Sequence, residues 1–199
     1  MTYRLPYFRT TERVSAMREQ LRDWHATRWQ HAGTRPNEMQ CGIRGDCLFW
    51  VHVFKAIGAL PTELRIPDYR KREAAMDNMA RLQSCIMSSE CAECVWRDET
   101  VVATLTVARA SRPLNPMLKA GEPPAPLLPG DVLLFANGMS GVHCGLVVRE
   151  SPPHFVHLSQ NGLTEEPLNQ AHWLKDLAFV YRLVESALNP EPRTVNRER

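Results

Sequence analysis

Residues 45–54, GDCLFWVHVF, place a cysteine at the point where a polar loop becomes a long apolar run. Asp46 is a residue type that begins helices, the apolar residues after it recur at helical spacing, and Gly58 is a stop signal. The pattern predicts a buried helix with Cys47 in its first turn. Unpaired backbone N–H groups and the helix dipole favour the nucleophilic thiolate there. The alternative is that Cys47 is a small core residue capped by Asp46.

The bulk composition is that of an ordinary soluble globular protein. The 199 residues suffice for one well-buried domain with an insertion. The formal net charge of +2 gives no reason to expect nucleic acid as a partner. No apolar stretch is long enough to span a membrane, and the N-terminal residues lack the apolar core of a signal peptide. We therefore expect a protein made in the cytoplasm without Sec export.

The six cysteines do not form a specific metal-binding pattern. Cys91 and Cys94 form the only CxxC pair, and a zinc site would need two more ligands at a typical spacing. A local disulfide or buried thiols are the preferred interpretation of the pair. We expect no metal and no cofactor.

The first half of the chain has a helical pattern. Residues 10–29 predict an amphipathic helix with a stripe that runs from Val14 to Arg28. Residues 68–88 predict a third helix. The pattern of residues 88–110 fits neither a helix nor a strand clearly. The prolines between 113 and 129 then predict an extended link.

After that link the period changes from helical to strand-like. Four short β-rich runs are separated by turn signals, and they cover residues 131–135, 142–148, 155–158 and 177–183. Helices followed by strands predict an α+β fold, with the N-terminal helices packed on an antiparallel sheet of four to six strands.

Two histidines on neighbouring predicted strands could complete a site with Cys47. His143 lies between Gly141 and Gly145, which leave room around its ring, and His157 can lie beside it on the next strand. Such an arrangement suits a thiol nucleophile, an acid–base imidazole and a second imidazole that orients the first. Each histidine taken alone could equally be a structural one.

Five short motifs follow one another along the chain. They are ATRWQHAG (26–33), GDCLFWV (45–51), LLPGDVLLF (127–135), GVHCGLVV (141–148) and FVHLS (155–159). Their order and spacing resemble those of the NlpC-type cell-wall cysteine peptidases, papain-like endopeptidases of bacteria and phages. The first motif is most similar to that of phage tail-associated members.

The resemblance implies a papain-like α+β domain over residues 1–185. Residues 62–125 have no counterpart in the minimal domain and are interpreted as an insertion, and residues 186–199 as a disordered tail. The implied catalytic residues are Cys47, His143 and His157, with Trp29, Asp46, Gly141 and Gly145 at the oxyanion site or substrate cleft.

The implied activity is hydrolysis of an amide bond in peptidoglycan stem peptides. Without a Sec signal, the protein would reach the cell wall with a phage tail, through a secretion apparatus or after lysis, so tail or secretion proteins are candidate partners. Two alternatives stay open. One is a toxin-like papain-fold hydrolase or acyltransferase with a substrate outside the cell wall, which the insertion motivates. The other is a catalytically decayed tail or assembly module.

The departures from the family pattern motivate the decayed module. Leu48 and Phe49 replace the small residues that follow the nucleophile in the family and would crowd the helix start. Trp29 stands where the family has a tyrosine whose hydroxyl can assist the oxyanion, and its indole N–H is the substitute donor.

Overall fold

The computed structural model describes residues 5–25, 28–29, 44–45, 48–64, 92–97, 126–137, 141–159 and 161–185. Three helices and eight strands lie in these ranges. In chain order they are α1 (Thr11–Arg22), β1 (Arg28–Trp29), β2 (Arg44–Gly45), α2 (Phe49–Ala56), β3 (Ala92–Arg97), β4 (Val132–Asn137), β5 (Gly141–Glu150), β6 (Pro153–Ser159), β7 (Gly162–Pro167), α3 (Ala171–Asp176) and β8 (Leu177–Leu183).

Six of the strands form one antiparallel sheet in the order β3-β8-β4-β5-β6-β7. The strands β1 and β2 form a separate two-residue parallel pair. The architecture is therefore α+β, with few helices on a six-stranded antiparallel sheet, as the sequence predicts. None of the helices in the described ranges is long and apolar enough to cross a bilayer.

Side chains alternate along the sheet, so each of its faces carries a different apolar core. On the first face Leu134, Cys144, Leu146 and Leu158 form one cluster with α1 and α2. On the opposite face Leu133, Phe135, Val147 and Phe155 form a second cluster with α3. The sheet is thus covered on both faces.

The helix α1 is shorter than the predicted range of 10–29. Thr10 caps it as expected, because the Thr10 hydroxyl accepts a hydrogen bond from the Arg13 N–H at 3.4 Å. Met17 and Leu21 are buried on the predicted stripe. The helix ends at Arg22, and Arg28 lies in β1 rather than on the helical stripe, so the predicted extension is wrong.

The helix α2 begins at Phe49, with Leu48 at the N-cap position, and all but one of its apolar side chains are buried. Gly58 follows its end with φ +72°, a left-handed conformation that a glycine adopts without strain, as the stop signal predicts. Leu48 makes no side-chain cap hydrogen bond. Cys47 and Asp46 lie outside the described residues, so the predicted first-turn cysteine and its cap stay predictions.

All four predicted strands are present, as β4, β5, β6 and β8. The strands β3 and β7 were not predicted from the pattern. β3 falls within residues 62–125, so part of this segment extends the sheet by pairing with β8. The predicted helix over 68–88, most of the proline-rich link and the tail of 186–199 lie outside the described residues.

The motif that precedes β4 has a structural role. The Asp131 carboxylate, 1% exposed, accepts two hydrogen bonds from the Arg182 guanidinium, at 2.8 and 2.7 Å. It also accepts one from the Leu128 N–H at 2.8 Å. Gly130 has φ +90°, and a side chain there would collide with the Phe8 ring. This ion pair joins the start of β4 to β8.

Candidate functional site

The two predicted histidines are direct neighbours. His143 is the third residue of β5 and His157 the fifth of β6, and His143 Nε2 lies 2.9 Å from His157 Nδ1. The two rings meet edge to face, with centroids 4.9 Å apart. His157 is buried, whereas His143 is partly exposed. The fold therefore joins the imidazoles through one hydrogen bond.

A carboxylate continues this chain of hydrogen bonds. Glu166 lies on β7, opposite Phe155 and diagonal to His157, so the three side chains share one face. Glu166 Oε1 is 3.2 Å from His157 Nε2, and the Trp173 indole donates to Glu166 Oε2 at 2.6 Å. The result is a continuous series of His143, His157, Glu166 and Trp173.

Aromatic rings enclose the imidazoles. The Trp173 indole is nearly parallel to the His143 ring, at an interplanar angle of 20° and a centroid distance of 5.9 Å. Phe155 stacks on His157, and Phe135 lies 6.3 Å from His143. These rings pack against the imidazole pair.

Gly145 lies on the same face as His143, two residues along β5, and leaves space for one of these rings. A Cβ atom at Gly145 would collide with the Phe155 side chain. The space left by Gly145 is therefore occupied by Phe155, and it supports the ring that stacks on His157. Gly141 is the first residue of β5.

Burial controls the charge of the site. The pKa of His143 is lowered from 6.5 to about 4, mainly by burial and also by the neighbouring His157, while Glu166 opposes the shift. Burial also lowers the pKa of His157, against the opposing effect of Glu166. For Glu166 burial alone would raise the pKa, but hydrogen bonds from Trp173 and His157 lower it overall. At neutral pH the site holds two neutral imidazoles and one carboxylate.

The helix that follows Cys47 packs on the other face of the sheet. Leu48 and Phe49 belong to the same buried cluster as Cys144 and Leu158, whereas the imidazoles lie on the face of Phe155. Both histidines are near the ends of their strands, His143 two residues after the start of β5.

Leu48 and Phe49, which were expected to crowd the start of the helix, are both buried. Leu48 is 1% and Phe49 0% exposed, and both pack into the core rather than into a groove. Their bulk is accommodated by the interior of the protein.

The short strands β1 and β2 connect the polar loop to the histidine-bearing part of the sheet. Trp29 is in β1 and pairs with Gly45 of β2. The backbone of β1 contacts β6 and β7, which carry His157 and Glu166. One of the five motifs therefore lies close to the strands that carry His157 and Glu166, and a second motif pairs with it through β2.

Glu166 and Trp173 were missed in the sequence because neither belongs to a recognised motif. A usable signal was the Asn161-Gly162 turn, which predicts a hairpin and hence a partner strand for β6. In the described part of the chain no group of three or more His, Cys, Asp or Glu side chains is arranged to hold a metal ion.

No protein-family model matches the chain, and no curated protein matches it.

Proposed function

We propose that the chain is a cysteine hydrolase that cleaves an amide bond in peptidoglycan stem peptides. The observation that carries the proposal is the 2.9 Å contact between His143 Nε2 and His157 Nδ1. It supports an acid–base imidazole oriented by a second imidazole, as the sequence predicts for a thiol hydrolase. The choice of substrate comes from the resemblance to NlpC-type peptidases.

The proposed reaction begins at Cys47. Its thiol gives a proton to His143 Nδ1 as the sulfur attacks the substrate carbonyl, and the backbone N–H of Cys47 stabilises the oxyanion. His143 then gives the proton to the leaving amine, and a thioester forms. Water loses a proton to His143 and attacks the thioester, the carbon–sulfur bond breaks to release the acid, and His143 returns its proton to the leaving sulfur, which restores the thiol. His157 orients His143 throughout.

Chain connectivity supports the placement of Cys47 near the imidazoles. The residue lies two positions after Gly45 and one before Leu48, and consecutive Cα atoms are about 3.8 Å apart. The strand β2, which ends at Gly45, pairs with β1, and β1 contacts the strands of His157 and Glu166. In this proposal Cys47 approaches His143 around the strand ends.

The test is the release of soluble muropeptides from purified sacculi. We expect release by the wild-type chain and none by Cys47→Ala or His143→Ala. His154→Ala is a matched control, because His154 lies at the start of β6 and its Nδ1 contacts the backbone oxygen of Pro152 rather than the imidazole pair. Cleavage of proteins in a panel, with intact sacculi, would favour the toxin-like alternative and reject the cell-wall substrate.

A second candidate is a binding module without activity. The observation that favours it is that α2 and the imidazoles lie on opposite faces of the sheet. In that case neither sacculi nor proteins are cleaved, and Cys47 has no enhanced reactivity.

A further inference from the structure

Glu166 is held at both of its carboxylate oxygens. Oε2 accepts the 2.6 Å hydrogen bond from the Trp173 indole, and Oε1 lies 3.2 Å from His157 Nε2. An indole N–H can only donate, and an ionised carboxylate can only accept. The orientation of Glu166 is therefore set by Trp173, and the second oxygen is presented to His157.

This arrangement determines where the protons of both imidazoles lie. Because Glu166 Oε1 accepts, His157 Nε2 must carry its proton. His157 is then an acceptor at Nδ1 when neutral, so the contact at 2.9 Å requires a proton on His143 Nε2. A neutral His143 is consequently left with an unprotonated Nδ1, which is the nitrogen that can act as a base.

We propose that Glu166 is a positioning residue that, anchored by Trp173, fixes the tautomers of His157 and His143 and so presents His143 Nδ1 as the base. Its part in catalysis rests on the proposed function, whereas the tautomers do not. Glu166 acts through His157 and has no direct contact with a substrate in this proposal.

Within this series Glu166 favours the protonated state of His143 during turnover, against burial and His157, which lower the pKa of that ring. A proton taken up at Nδ1 makes the ring a cation, and the Nε2–H of that ring already points along the series toward the Glu166 carboxylate. Such stabilisation of a charged imidazole by an orienting carboxylate is known from acyl-transfer triads. Among the described residues outside this series, the titratable group that affects the pKa of Glu166 is His172, which lowers it.

Replacement of Glu166 by glutamine should invert the tautomers. A glutamine side chain has one accepting oxygen. The indole N–H of Trp173, which makes the shorter hydrogen bond, donates to that oxygen. The amide N–H₂ then faces His157 Nε2, which must accept, so the proton moves to His157 Nδ1. That nitrogen donates to His143 Nε2, and the proton of His143 moves to Nδ1, where it blocks the base.

The experiment is a long-range ¹H–¹⁵N NMR correlation of the imidazole rings in the full chain at pH 7.5, without substrate. Signals are assigned with His143→Gln and His157→Gln. We expect Nε2–H tautomers for both rings in the wild type, and Nδ1–H tautomers in Glu166→Gln. The matched control is Glu165→Gln, because Glu165 is exposed and pairs with Arg149, and it should keep the wild-type tautomers.

An Nδ1–H tautomer of His143 in the wild type, or Nε2–H tautomers in a folded Glu166→Gln, would overturn the inference. The wild-type spectrum decides the first point even when the variant does not fold. Under the proposed function, Glu166→Gln also lowers kcat by about 10²-fold or more with an unchanged KM, the typical contribution of one acid–base group. Intact sacculi together with the expected tautomers would reject only the function, and cleaved sacculi with the opposite tautomers only this inference.

Discussion

The Trp173 indole lies over the His143 ring at a centroid distance of 5.9 Å and donates to the carboxylate that ends the imidazole series. One side chain on α3 thus both covers the ring and anchors Glu166. Trp173 also contacts Phe135 and Phe155, with centroids 5.0 Å away in each case. The site and the second core of the sheet are therefore one packed unit.

Substitution of Trp173 separates its two contributions. Trp173→Phe retains most of the packing but removes the donor to Glu166, so we expect a loss of about 1.5–3 kcal/mol in the free energy of unfolding. Trp173→Ala also loses the ring contacts and should cost more, about 3–5 kcal/mol. Urea unfolding measures both values. Lys175→Ala, at an exposed position of the same helix, is the control, and equal effects of all three changes would contradict the assigned role.

The lowered pKa of His143 predicts a pH dependence of stability. Because the folded-state pKa, about 4, is below the ordinary 6.5, the unfolded chain binds more protons between these values. Stability is therefore retained above about pH 6.5 and falls as the pH decreases toward 4, by about 3 kcal/mol in all. Burial of His157 acts in the same direction.

Urea unfolding at several pH values between 7 and 4 measures this slope. His143→Gln removes the contribution of this ring and should reduce the dependence of stability on pH, whereas His25→Gln, at an exposed position, should not. A His143→Gln chain with the full wild-type slope would contradict the low pKa.

The contact between Gly145 and Phe155 predicts that substitutions at these two positions have strongly coupled effects on the free energy of unfolding. Gly145→Ala introduces a methyl group into the space of the Phe155 ring, and overpacking of this kind costs about 1–3 kcal/mol. Phe155→Ala should cost about 3–5 kcal/mol, because the ring is fully buried. In the double variant the methyl group has room, so the combined cost should be smaller than the sum of the two. Additive costs in urea unfolding would show that the two residues do not compete for space.

The buried ion pair between Asp131 and Arg182 predicts a large effect of removing one partner. Asp131→Ala leaves the guanidinium without its carboxylate, and we expect a loss of about 3–5 kcal/mol. The matched contrast is Arg149→Ala, which breaks the pair with Glu165 at the surface and should cost at most about 1 kcal/mol. Thermal and urea unfolding compare the two, and similar effects would reject the structural role assigned to the motif before β4.

Much of the sheet could be predicted from the sequence, because its central strands are apolar and bounded by turn residues. The strand β7 was missed since its sequence, GLTEEP, is polar and lies at the sheet edge, where one neighbour suffices. The extent of α1 was overestimated because the apolar period continues past Asp23, and no strong helix breaker stands at its end. Local sequence patterns do not show where tertiary contacts override the preference of a segment for helix or strand.

The pairing of His143 with His157 was predicted from two strands and the turn between them. Glu166 could not be assigned while β7 was unrecognised, and Trp173 reaches the site only through the packing of α3 on the second core. The periodicity of the sequence also does not predict which face of the sheet α2 packs on. That face depends on how the chain crosses between layers.

The reactivity of Cys47 is the most direct test of the central claim that this thiol and His143 form one site. Iodoacetamide alkylation of Cys47, followed by peptide mass spectrometry across pH 5–9, reports its thiolate character without any substrate. We predict fast alkylation well below pH 8 in the wild type and in His154→Ala, and a rate at least about tenfold lower at pH 7 in His143→Ala. A Cys47 that reacts only above pH 8, or equally fast with and without His143, would contradict the account.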